Sequence, residues 1–104
     1  MAGGERDEGN SRSGEPVVRE VCIVNRLGLH ARASAQFVRT AEQFPAEVTV
    51  ELAGQWVNAK SIMGLLMLAA CQGTTLRLRA TGQDSQAAVE ALADLVARRF
   101  GEPE

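Results

Sequence analysis

The apolar residues of this chain change period along its length, and that change restricts the fold more than any other feature. Two segments alternate apolar with polar at every second position. In Glu47–Leu52 the residues Val48, Val50 and Leu52 share one side, and in Thr74–Thr81 Leu76, Leu78 and Ala80 lie opposite Arg77 and Arg79. Side chains on a strand point alternately to its two faces, so each segment reads as a strand with one buried face. Other stretches repeat at helical spacing. Phe37, Ala41 and Phe44 stand at i, i+4 and i+7 in a helix predicted from Ala31 to about Gln43, with Ala35 and Val38 flanking the stripe and Pro45 ending it. Val89, Leu92, Val96 and Phe100 stripe a last helix with Asp84 as its N-cap, Arg98 and Arg99 at its end and Gly101 just past it.

The remaining segments complete an alternating order. Val17–Val24 is β-branched and mostly apolar, a strand, and Asn25–Leu29 is a loop. Ala53-Gly54 turns the chain from Glu47–Leu52 into Gln55–Ala59, a hairpin that holds Trp56 as a partly buried residue. Ser61 opens a short helix as N-cap, running to Ala70 before Gln72-Gly73. The order is βαββαβα. Such a set packs in the α+β manner: a four-stranded antiparallel sheet covered on one face by three helices, an open-faced β-sandwich. Residues 1–16, rich in Gly, Ser and charge, read as a disordered tail before a folded domain of residues 17–104.

At 104 residues there is room for one domain, and with only 4% aromatic residues aliphatic side chains fill its core. No stretch interleaves basic residues with aromatics, and the formal net charge is −2, so nucleic acid is not an expected partner. Cys22 and Cys71 read as two free, buried thiols in a reducing compartment, and no Cys/His cluster offers a metal site. The longest apolar run, Ile62–Cys71, is about half of a membrane span. The expectation is a cytoplasmic protein without membrane insertion.

His30, the single histidine, sits where the first helix begins, with Arg32 two residues on. A helix N-terminus collects unpaired backbone N–H groups and a partial positive charge, which suits a phosphate or another anion. Neutral imidazole is a nucleophile near pH 7 without help. Together these point to a histidine that carries a phosphoryl group. A surface histidine that merely caps a helix is the plainer alternative. Ser61 has an N-cap role on its own terms. Ile62, Met63, Leu65, Leu66, Met67 and Leu68 are too many apolar residues for one buried stripe, so a surplus including Ile62 and Met63 is expected at the surface.

Gly28-Leu29-His30-Ala31-Arg32-Ala33 resembles the active-site signature of the histidine-containing phosphocarrier family, HPr, of the bacterial phosphotransferase system. Asn58-Ala59-Lys60-Ser61-Ile62-Met63-Gly64-Leu65-Leu66 resembles that family's regulatory-serine region at the expected separation, and the Gln72-Gly73-Thr74 turn and the element order agree. The resemblance spans about residues 17–101. It implies a carrier rather than an enzyme, with no cofactor: His30 takes a phosphoryl group on Nδ1 from phosphorylated Enzyme I, Arg32 stabilises it, and a downstream EIIA-type protein receives it. It also implies phosphorylation of Ser61 by an HPr kinase/phosphorylase. Ala31, Ile62 and Met63 would contact partners of a monomeric carrier.

Two readings stand beside this one, a nitrogen-branch relative of HPr (NPr-like) and a non-catalytic regulatory docking module. An enzyme with its own small substrate fits worst, because no second titratable group clusters in sequence with His30. Ala33 stands where many such sequences have proline, which would pre-set φ for the first helical turn. Ser34 is also less usual there, and its hydroxyl is placed to bond locally.

Overall fold

The computed structural model of the protein describes residues 15–104. The tail reading falls outside the described residues, except for Glu15 and Pro16, which are exposed and belong to no helix or strand. The elements run β1 (Val17–Cys22), α1 (Ala31–Glu42), β2 (Glu47–Leu52), β3 (Gln55–Asn58), α2 (Ile62–Leu68), β4 (Thr75–Thr81) and α3 (Ser85–Ala97). The strands form one antiparallel sheet in the order β1-β4-β2-β3, with all three helices on one side. The expected open-faced α+β sandwich is what the chain builds.

The period-2 pattern sets the faces. Register pairs Val21 with Leu76 and Val50 with Leu78, so these side chains, with Val48 and Ala80, point together into the layer beneath the helices. Phe37, Ala41, Val89, Leu92 and Val96 meet them from α1 and α3. Each apolar side chain removed from water this way stabilises the fold by about 1.5–3 kcal/mol, which fixes the register. On the opposite face Arg77 sits between its two cross-strand neighbours, 3.6 Å from Glu20 and 3.8 Å from Glu51. Pairs this exposed contribute little.

Several expectations need correction, mostly because one sheet face is open. Cys22 is exposed, since Val21 and Ile23 take the inner face and Cys22 pairs with Thr75 on the outer one. Cys71 is exposed too, in a turn after α2 where its Sγ lies 3.7 Å from the Thr74 hydroxyl. Trp56 is also on the open face, 43% exposed, with the Arg79 guanidinium 5.9 Å from its ring centre.

Asp84 is the N-cap residue of α3, as expected, and its carbonyl accepts from Ala88 N–H at 2.9 Å, but its side chain makes no capping bond. Its backbone is left-handed (φ 65°, ψ 23°). That helix stops at Ala97. Arg99, Phe100 and Gly101 then take φ of 59°, 56° and 80°, reversing the chain while Phe100 stays buried. α2 stops at Leu68, with Ala69 left-handed at its C-cap.

Candidate functional site

The loop before α1 is held from below. Gly28 has φ +70°, and a Cβ there would lie 2.5 Å from the Ala70 carbonyl oxygen and 3.0 Å from the Cys71 Cα. Only glycine fits such an approach to another backbone. The Leu29 N–H donates to the same Ala70 carbonyl at 2.9 Å, and buried Ser34 donates its hydroxyl to the Leu29 carbonyl at 3.1 Å. Ser34 thus ties the loop to the first helical turn without a proline beside it, as its local bonding predicted.

His30 follows as the N-cap residue of α1, in extended conformation, with its carbonyl accepting from Ser34 N–H. Its ring does not cap the helix. This removes the plain capping alternative and leaves the N–H groups of the first turn without intrahelical partners. Instead Nε2 bonds Oε2 of Glu102, 72 positions away, with the two side chains 28% and 13% exposed.

Glu102 arrives because the left-handed turn at Arg99–Gly101 sends the chain back over the loop. Its Oε1 accepts from Asn25 Nδ2 at 2.9 Å, and the same Nδ2 donates to the Gly28 carbonyl at 2.8 Å. Arg26 clasps the next residues, its backbone N–H donating to the Glu104 carbonyl at 2.9 Å and its Nε forming an ion pair with the Glu104 carboxylate at 3.2 Å. Burial alone would raise the Glu102 carboxyl. The hydrogen bonds from Asn25 and His30 and the charges of His30 and Arg32 outweigh it and hold the group below its ordinary value.

The result is an open cleft of about 410 Å³ lined by Arg26, Leu27, His30, Arg32 and residues 102–104. His30 and Arg32 come together as expected. Asn25, Arg26, Glu102 and Glu104 are additions that no sequence spacing signalled. Ser61, Ile62 and Met63 do not line this cleft. Ser61 caps α2, its Oγ accepting from Gly64 N–H at 3.0 Å. Ile62 (41% exposed) and Met63 (70%) lie at the surface with Leu66 and Met67, and Ala31 is exposed at the first position of α1. No group of three or more His, Cys, Asp or Glu side chains is gathered for a metal among the described residues.

The site's chemistry is a nucleophilic ring and a guanidinium sharing an open cleft at a helix start, which suits a phosphoryl group more than a small organic substrate. A family model described as "PTS HPr component phosphorylation site" matches residues 17–98. The phosphocarrier protein HPr of Neisseria meningitidis serogroup A is 54% identical over 82 residues, covering 79% of this chain and 92% of that protein. The phosphocarrier protein NPr of Shewanella violacea is 43% identical over 84 residues, covering 81% of this chain and 92% of its own. The crystal structure of HPr from Thermoanaerobacter tengcongensis superposes with a TM-score of 0.82 at 43% identity, over 85% of this chain and 99% of that one. The chain belongs to the HPr family, the phosphocarrier proteins of the phosphotransferase system.

Proposed function

We propose that His30 is the phosphoryl acceptor, taking the group on Nδ1 from phosphorylated Enzyme I in the cytoplasm and passing it to an EIIA-type protein. One observation carries this: His30 stands at the start of α1 with its ring free of any capping duty and Arg32 in the same cleft. A phosphoryl group brings about −1.5 to −2 charges near neutral pH. The unpaired N–H groups of the first turn and the Arg32 guanidinium answer that charge. A helix terminus contributes only about 0.3–1 kcal/mol at an exposed site. Stabilisation of that size suits a carrier, which must also release its cargo.

The exposed Ala31, Ile62 and Met63, with Met67 (65% exposed) beside them on α2, supply an apolar docking surface for both proteins. Methionine side chains adapt to more than one partner. Phosphorylation of Ser61 by an HPr kinase/phosphorylase would put a dianion on the helix that carries this surface and weaken docking of Enzyme I. Labelling by such a kinase that is lost in Ser61→Ala supports the regulatory role, and undiminished labelling of the variant removes it.

The main test is incubation with Enzyme I and phosphoenolpyruvate, followed by intact mass. The expected gain is one acid-labile phosphoryl group, absent from His30→Ala. No gain, or a gain that survives the substitution, overturns the assignment. Phosphorylation rates with the sugar-branch and nitrogen-branch forms of Enzyme I separate an HPr role from an NPr-like one.

A further inference from the structure

A neutral imidazole has one protonated nitrogen and one with a free lone pair, and only the second attacks phosphorus. An ionised carboxylate can only accept hydrogen bonds. The contact between Glu102 Oε2 and His30 Nε2 therefore requires the proton on Nε2, which leaves the lone pair on Nδ1. The carboxylate is anchored from the other side. Asn25 is fully buried and uses both N–H groups of its amide, one on Glu102 Oε1 and one on the Gly28 carbonyl. Its Oδ1 makes no hydrogen bond among the described residues, so the amide is engaged through its N–H groups. Arg99 and Phe100 hold left-handed φ of 59° and 56° to turn the chain toward His30.

We propose that Glu102 is a positioning residue for the phosphoryl transfer, keeping a proton on His30 Nε2 through both halves of the exchange. This rests on His30 being the acceptor. In the first half the Nδ1 lone pair forms a bond to phosphorus while the donor's bond to phosphorus breaks and the donor keeps its electron pair. Nε2 keeps its proton, so the ring becomes a phosphoimidazolium whose positive charge lies against the Glu102 carboxylate. In the second half the acceptor's lone pair attacks phosphorus, the N–P electron pair returns to Nδ1, and the ring is neutral again. His30 neither takes up nor releases a proton in either direction.

The cation is also the better leaving form, because departure from it yields neutral imidazole rather than an anion. Glu102 thus favours release as well as capture. The other ionisable groups lining the cleft are Arg26, Arg32 and Glu104, of which Arg26 and Glu104 pair with each other. Among the described residues Glu102 is the one ionisable group hydrogen-bonded to the ring.

The test follows loss of the phosphoryl group from purified phosphoprotein by intact mass across a range of pH, without any partner present. Wild type is compared with Glu102→Ala and Glu102→Gln, each first shown to be folded by circular dichroism. At neutral pH the Glu102→Ala phosphoprotein should be longer-lived by about tenfold, the effect of shifting one protonation equilibrium by one unit. Acidification should bring the two rates together, because solvent then supplies the proton. Glu102→Gln keeps an acceptor for Nε2–H but lacks the charge, so its profile should also move toward acid. Coincident profiles in wild type and Glu102→Ala overturn the role of Glu102 while leaving His30 as acceptor. A wild-type protein that takes no phosphoryl group overturns the acceptor assignment itself.

Discussion

The Leu29 backbone N–H donates to the Ala70 carbonyl at 2.9 Å, joining the loop before α1 to the turn after α2. Gly28 makes that junction feasible, since the same carbonyl oxygen would lie 2.5 Å from any Cβ at position 28. The loop that presents His30 is therefore positioned by a segment some forty residues further on.

Gly28→Ala should be among the most damaging single changes. It introduces a clash with backbone that cannot rotate away, and it places a Cβ at φ +70°. The left-handed conformation alone costs about 1–2 kcal/mol, and overpacking adds about 1–3. Urea unfolding should give a loss above about 2 kcal/mol; a loss below about 0.5 would show that the loop moves aside freely.

Arg32 is exposed, so its value should appear in the phosphorylated state rather than in the fold. A charge-assisted hydrogen bond is worth about 1.5–3 kcal/mol. Arg32→Ala should keep the wild-type Tm but slow phosphoryl uptake from Enzyme I by about tenfold or more. An unchanged uptake rate would reduce Arg32 to a solvated surface charge.

Ser61→Ala removes the acceptor that Gly64 N–H uses at 3.0 Å. N-cap serines are worth about 1 kcal/mol. For a domain of this size that corresponds to a fall in Tm of about 4–8 °C. Calorimetry of the unphosphorylated proteins reads this separately from any regulatory role, and an unaltered Tm would mean that water replaces the cap.

Glu102 makes stability depend on acid pH. Desolvation opposes ionisation, yet the Asn25 and His30 hydrogen bonds and the nearby positive charges leave the folded-state value below the ordinary 4.5. A carboxyl lowered in the folded state contributes stability that is fully present above its unfolded value and is lost as pH falls through the folded one. The Tm difference between wild type and Glu102→Gln should hold at pH 6–7 and shrink on acidification below about 4.5. A difference that is constant with pH would mean the carboxylate is not ionised against His30.

Both cysteines are exposed, so a thiol reagent should modify both in the folded protein without denaturant. Cys22→Ser and Cys71→Ser should each change stability by less than about 0.5 kcal/mol, as for other surface substitutions. Modification only after unfolding would restore the buried reading.

The sequence resolved β2 and β4 almost to the residue because a one-residue slip would turn every apolar side chain outward. It resolved Ser61 as a cap because capping is a contact within four residues of chain. It misjudged Cys22 and Trp56 because an apolar residue in a strand looks the same whether its face is covered or open. It also ended α3 too late: Phe100 continues the apolar stripe, yet it is buried from a left-handed turn rather than from a helix.

By itself, then, the sequence determined the order of elements, the core faces, and the pairing of His30 with Arg32, because all of these are written in short spacings. Only the tertiary structure decided what stands behind the histidine. Asn25 and Glu102 are separated by 77 positions and met through a chain reversal at Arg99–Gly101. A hydrogen bond depends on distance in space, and no periodicity along the chain encodes a contact made by two loops.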